Sequence, residues 1–278
     1  MRFGSAAPGA IRLALYLGFT FACIPLQTLF LALGWRRAYV RFPVWYHRRC
    51  LRLLGIEVTV TGAPVADRPV LFISNHSSYL DIPVLSSVLP LSFVAKAEVA
   101  GWPLFGLLAK LQRTVFVDRN SRADAGRQAD GMAARLQGGD NLVLFPEGTS
   151  SDGNRTLPFK SALFSAAAIR VGEGAVTVQP VSVTCTHLDG IPVGHSLRAL
   201  YAWYGDMELP PHLWQMVKAG RLRVAVEFHE PVDLDRFGSR KALADHCWRT
   251  VAGGVSRAVS GRAVASNDAG RGTAARAS

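Results

Sequence analysis

A histidine and an aspartate stand five positions apart in Asn75-His76-Ser77-Ser78-Tyr79-Leu80-Asp81. The stretch follows the apolar run Pro69-Val70-Leu71-Phe72-Ile73-Ser74, which predicts a buried strand with a turn into a helix after it. That order puts an imidazole at the carboxyl end of a strand, where open α/β sheets carry their chemistry. A carboxylate one turn further on could hold the imidazole in a basic tautomer, able to take a proton from a hydroxyl. The same residues fit a second description. Ser78 and Asp81 also make a capping box, in which Asp81 only completes a helix start and His76 is an ordinary loop histidine. The heptapeptide alone does not choose between them.

Three more segments carry chemistry-bearing residues after strand-like runs. Thr114-Val115-Phe116-Val117-Asp118-Arg119 ends in an arginine that can fork onto a phosphate or carboxylate, or simply pair with Asp118 at the surface. Leu144-Phe145-Pro146-Glu147-Gly148-Thr149-Ser150 predicts a turn exposing backbone N–H groups, a carboxylate and two hydroxyls. In Val178-Gln179-Pro180-Val181 a proline interrupts a strand-like run, which predicts an edge strand or a bulge beside a site.

The elements that must position these residues alternate. Strands are predicted at Ile56–Thr61, Val70–Ser74, Leu91–Ala95, Thr114–Val117, Asn141–Phe145, Val176–Thr184, Leu197–Tyr204 and Leu222–Phe228. Helices are predicted over 79–88, 100–111, 122–137, 160–171 and 239–259. This is an α/β chain with a mixed, mostly parallel sheet flanked by helices. Three regions are expected: membrane-anchoring and juxtamembrane helices over 1–54, an α/β domain over 55–260, and a disordered basic tail over 261–278.

The net charge of +11 is terminal. Residues 1–60 hold eight Lys/Arg against one acid, and 257–278 hold four against one, whereas 61–256 hold nineteen against eighteen. A nucleic-acid footprint would be a basic stripe across the domain, so this distribution excludes one. It suits arginines beside a membrane carrying anionic lipid. Leu13 to Trp35 is free of charge for 23 residues. As a helix it is ~35 Å long, enough to cross a hydrocarbon core, although Gly18, Pro25 and Gly34 also allow a kinked span or a helix pair dipping into one leaflet. Arg36, Arg37, Arg41, Arg48, Arg49 and Arg52 follow, interleaved with Trp35, Trp45 and Tyr46. By the positive-inside bias they place the C-terminal domain on the cytoplasmic side of the inner membrane. The same residues also suit an amphipathic helix packed on the domain. Cys23, Cys50, Cys185 and Cys247 form no CxxC pair and suggest neither zinc nor a disulfide framework. No metal is implied, since His76 and Asp81 lack further ligands at usable spacing.

In order and spacing, these segments resemble the lysophosphatidate acyltransferase (PlsC-like) family of glycerolipid acyltransferases. Asn75 to Asp81 matches its NHxSxxD block, Val115 to Arg119 the end of its GxxFIDR block, and Phe145 to Thr149 its FPEGT block, while Val178 to Val181 is similar to its fourth. The resemblance implies a glycerol-3-phosphate acyltransferase-like α/β fold with a membrane helix or helix pair before it. It implies transfer of a fatty acyl group from a thioester of acyl carrier protein or coenzyme A to a lysolipid hydroxyl, without a resident cofactor. His76 would be the general base and Asp81 its orienting partner. Asn75, Ser77, Arg119, Glu147, Gly148, Thr149, Lys160 and Pro180 would bind or enclose substrate, Arg119 taking the anionic head group and Pro180 walling the acyl site. Lys96 falls where the family often has a cation.

The chain departs from that pattern in three places. Gln112 or Arg113 stands near a frequent glycine, Ser150 replaces a frequent arginine, and Ala162 replaces a glycine. A missing cation beside the acceptor disfavours strict phosphate recognition, since a phosphate carries up to about two charges at pH 7. Ornithine-type lipids carry their own ammonium. The segment Trp203-Tyr204-Gly205-Asp206-Met207, with Pro211-His212-Leu213-Trp214, resembles the lyso-ornithine lipid acyltransferase branch, and it also reads as an interfacial turn and helix. Acceptors are therefore 1-acyl-sn-glycerol-3-phosphate, lyso-ornithine lipid, or both. Two rival classes are a serine hydrolase built on Gly194-His195-Ser196-Leu197-Arg198, which lacks the last glycine of a nucleophile elbow, and a membrane-anchored lipid-binding protein without activity.

Overall fold

The computed structural model describes residues 4–118 and 125–261. The chain opens with two helices, α1 (Ala6–Ala32) and α2 (Arg36–Leu54), joined by a tight turn through Gly34. The strands are β1 (Ile56–Thr61), β2 (Val70–Ser74), β3 (Ser92–Lys96), β4 (Val115–Val117), β5 (Leu142–Leu144), β6 (Arg170–Val171), β7 (Gly174–Ala175), β8 (Thr177–Leu188), β9 (Ile191–Pro192) and β10 (Leu222–Phe228). Between and after them lie α3 (Asp81–Val88), α4 (Phe105–Leu111), α5 (Ala125–Gln137), α6 (Leu209–Lys218), α7 (Leu234–Phe237) and α8 (Arg240–Val259).

Among the described residues the main sheet runs β1-β10-β8-β2-β5-β3-β4, with β9 on the end of β8. β8 pairs antiparallel with β10 and β9; the other neighbours are parallel. In β2 all five residues are buried, as expected of a strand covered on both faces. Its period of two sorts them: Val70 and Phe72 join the core under α2, α3 and α6, whereas Leu71 and Ile73 join the core under α5 and α8. Because β2, β5, β3 and β4 are parallel, the turns after them emerge on one edge of the sheet.

α1, at 27 residues, is long and apolar enough to cross a membrane, with a mean hydropathy of 1.7 over an 18-residue stretch. Its polarity is inverted relative to a soluble surface helix. Thr20 and Gln27 face inward and are buried, whereas Ile11, Leu15, Phe21 and Leu29 are exposed. Arg12 ties the helix to the C-terminus of α6, donating to the carbonyls of Val217 (3.3 Å) and Ala219 (2.6 Å), where a helix end favours a cation. The charge-free segment forms one helix that continues through Gly18 and Pro25, and the arginine-rich residues after Gly34 form the separate helix α2, which packs against it.

Four predicted elements differ. Residues 197–204 are not a strand: His195–Leu200 is a 3₁₀ helix, and Arg198, Tyr201 and Ala202 are buried at spacings of three and four. The helix predicted over 100–111 breaks at Pro103, with Leu104 at φ 57°, leaving a 3₁₀ turn at Ala97–Gly101 and then α4. The helix predicted over 160–171 is a 3₁₀ helix at Ser161–Ala168, and the chain then turns at Gly172 (φ 66°) into the β6–β7 hairpin. β8 is not an edge strand and carries no bulge at Pro180. It tolerates the proline because the missing N–H faces His229, one residue past the end of β10. His229 N–H donates to the Pro180 carbonyl (3.0 Å), and the Gln179 side-chain amide donates to the His229 carbonyl (2.9 Å) in place of the absent backbone donor. The expected tail falls on residues outside those described, apart from Gly261.

Candidate active site

His76 sits two residues past β2, and the Glu147 turn follows β5, the parallel neighbour of β2 in register Ile73 to Leu144. The loops therefore lie side by side, and Ser151 N–H donates to the His76 carbonyl at 2.8 Å. His76 Nδ1 is 2.9 Å from Asp81 Oδ2. The same oxygen accepts the backbone N–H groups of Ser77 (2.8 Å) and Ser78 (2.9 Å). Asp81 is fully buried, while the His76 side chain is 23% exposed. A carboxylate facing Nδ1 keeps the proton on that nitrogen and leaves the Nε2 lone pair free. The Phe145 ring stacks on the imidazole at 4.2 Å between centroids and fixes its plane.

The capping description holds only in part, since α3 begins at Asp81 itself with Leu80, not Ser78, before its first residue. The Ser78 N–H bond to Asp81 is one half of a capping box, and Ser78 Oγ accepts from Leu80 N–H (3.2 Å) instead of completing the other half. Asp81 thus holds the loop and His76 together.

Glu147 braces the histidine from behind. One of its oxygens accepts His76 N–H (2.8 Å) and the other accepts Leu157 N–H (3.0 Å). Burial pushes its pKa from 4.5 up to about 8; the charge of Asp81 adds to this, and the two backbone donors oppose it. The turn that presents it closes through Gly148 N–H to the Phe145 carbonyl (3.2 Å), with Gly148 at φ 76°.

A cavity of about 490 Å³ opens beside His76 and runs between α1, α2 and α4. That is the size of a site for an extended small ligand. Its far wall is largely apolar, with Ile24, Phe42 and Leu108 among the lining residues, and Lys96, Gly148 and Thr149 line it together with His76.

The structure distributes the other expected residues unevenly. Asn75 is buried and spends its amide on β8, donating to the Val183 carbonyl and accepting Val183 N–H, each at 2.8 Å. Ser77 contributes backbone, its carbonyl accepting Trp203 N–H at 2.8 Å. Lys160 is exposed, and neither it nor Pro180 is among the residues lining the cavity; Pro180 is buried in the middle of the sheet. Arg119 lies outside the described residues. Arg113, near the family's frequent glycine, keeps glycine's backbone shape with φ 59°. Its guanidinium is anchored to Asp140 (3.0 Å) and stacks over Tyr39 at 4.8 Å. Ser196, the rival nucleophile, is exposed on the 3₁₀ helix that follows the two-residue β9, not on a turn between a strand and an α-helix.

Sequence reasoning missed Tyr201, whose hydroxyl donates to Asp81 Oδ1 at 2.7 Å. No local pattern points to it, because its partner is 120 positions away.

Residues 57–184 match the family described as Acyltransferase. The chain is 46% identical over 245 residues to the lyso-ornithine lipid O-acyltransferase of Brucella abortus (strain 2308), covering 85% of this chain and 91% of that protein. The chain belongs to the PlsC-like acyltransferase family. It is also 36% identical over 194 residues to the 1-acyl-sn-glycerol-3-phosphate acyltransferase of Neisseria gonorrhoeae, covering 69% of this chain and 71% of that one. Its fold is similar to the crystal structure of PlsC from Thermotoga maritima, with a TM-score of 0.60 at 23% identity over 88% of this chain and 97% of that one. At the level of the family, this acyltransferase moves an acyl group to a lysolipid hydroxyl.

Proposed function

We propose that this acyltransferase esterifies lyso-ornithine lipid, with a thioester of acyl carrier protein or coenzyme A as donor and His76 as the general base. The observation that carries the reading is the 2.9 Å His76–Asp81 contact at the wall of a largely apolar cavity. His76 Nε2 takes the proton as the lysolipid hydroxyl attacks the thioester carbonyl. The C–O bond forms, the C–S bond breaks, and the imidazolium returns the proton to the departing thiolate. Asp81 stabilises the imidazolium meanwhile. Lys96 and Thr149 meet the polar head group, and the apolar stretch of the cavity takes an acyl chain.

Lyso-ornithine lipid is favoured as acceptor over 1-acyl-sn-glycerol-3-phosphate because of the relative in Brucella abortus and because Ser150 stands where a cation is frequent. The α1–α2 hairpin sits in the cytoplasmic leaflet of the inner membrane, its exposed apolar side in lipid and its arginines at the head groups. Membranes carrying the protein are given labelled acyl donor, with each lysolipid tested separately. Product from lyso-ornithine lipid is expected, and acylation of lysophosphatidate alone would overturn the choice of acceptor. His76→Ala is expected to abolish transfer; retention of wild-type rates would remove the base assignment.

A further inference from the structure

We propose that Tyr201 is a positioning residue for acyl transfer, its hydroxyl setting the rotation of the Asp81 carboxylate that orients His76. This rests on the reading of His76 as the base. Three donors, Ser77 N–H, Ser78 N–H and His76 Nδ1, converge on Asp81 Oδ2. All three act on one oxygen, and the last torsion of aspartate is soft, so a donor on the opposite oxygen stiffens the orientation of the carboxylate from its far side. Among the described residues Tyr201 is the donor that reaches Oδ1, at 2.7 Å. An ionised carboxylate only accepts, so the phenol is the donor. Both groups are buried, with Asp81 at 0% and Tyr201 at 1% exposed, and bulk water does not compete for that oxygen.

Tyr201 is itself held on both sides. Before it, the buried Arg198 pins the 3₁₀ helix, donating to Asn154 Oδ1 (2.6 Å) and to the Val193 carbonyl (2.7 Å). After it, Trp203 N–H donates to the Ser77 carbonyl (2.8 Å), inside the very loop that carries His76. A further clamp joins Tyr79 OH to His212 Nδ1 at 3.1 Å, from α6 to the residue after Ser78. The segment 198–212 therefore backs the catalytic loop, and Tyr201 is its contact with the carboxylate.

The experiment is a double-mutant cycle on full-length protein in membranes, with rates measured against both substrates. Tyr201→Phe keeps the ring and removes the hydroxyl. It is expected to lower kcat about tenfold, the scale of one charge-assisted hydrogen bond, with KM within about twofold of wild type. In an Asp81→Asn background the same change is expected to cost only about twofold, because the hydroxyl then meets a neutral amide in place of a charge. A Tyr201→Phe enzyme with wild-type kcat overturns the proposal, as does an equal loss in the two backgrounds or a loss confined to KM. His76→Ala separates the two levels. If it retains transfer, the base reading fails; if it is inactive while Tyr201→Phe is unimpaired, only the role of Tyr201 fails. Should Tyr201→Phe not fold, 3-fluorotyrosine at 201 keeps the packing and strengthens the donor. A kcat that changes at unchanged KM then supports the proposal, and an unchanged kcat overturns it.

Discussion

Replacing Asp81 by asparagine removes a charge and little else. An amide oxygen in place of Oδ2 still accepts from Ser77 N–H, Ser78 N–H and His76 Nδ1, and the amide nitrogen then faces the Tyr201 hydroxyl, which can accept. The loop and the tautomer survive, while the imidazolium formed during proton abstraction loses its counter-charge. With Nδ1 and Oδ2 2.9 Å apart, the charge centres lie roughly 4 Å from each other, worth about 4 kcal/mol at an effective dielectric of about 20. Nearly all of that appears in the transition state, so kcat is expected to fall about 10³-fold with KM little changed. Initial rates at varied donor and acceptor measure it, with a thermal midpoint in detergent to confirm the fold. A kcat within about tenfold of wild type would refute the reasoning, and so would a loss expressed wholly in KM.

Glu147 gives a stability test. Its pKa rises from 4.5 to about 8 on folding, so its contribution is present in full below 4.5 and is lost as pH rises toward 8. Glu147→Gln does not titrate. The wild-type thermal midpoint should therefore fall relative to the variant between pH 5 and 8, by roughly 1.4 kcal/mol or about 2–4 °C per pH unit, and a gap constant with pH would sink the idea. Gly148→Ala places a Cβ at φ 76° and is expected to cost about 1–2 kcal/mol, read as a lower midpoint together with weaker transfer. An unchanged midpoint would mean that the turn relaxes to another shape.

The parts of the site legible in the sequence were those written locally. His76 and Asp81 share one strand-to-helix turn, and the apolar run of β2 announces a strand buried on both faces. Glu147 was visible as a residue but not as a brace, because its partners His76 and Leu157 lie on separate segments. Tyr201 was invisible for the same reason, and its surroundings misled: Leu197 to Tyr204 is apolar enough for a strand, yet the buried positions follow a helical spacing. The placement of Pro180 failed because a rule about prolines in sheets counts backbone donors alone, and here a side chain supplies the missing one.

That substitution of side chain for backbone ties two adjacent positions into one heritable unit. An N–H restored by Pro180→Ala would compete with the Gln179 amide for the His229 carbonyl. Loss of Gln179 alone would strip that carbonyl of its donor, and would also free Val65 N–H and the Ala63 carbonyl, which the same amide holds at 2.9 Å each. The two positions are coupled at one carbonyl, that of His229, which can take its donor from either. In a directed-evolution library of this chain, 179 and 180 should be randomised as a pair, because a change at 180 alters what a change at 179 costs.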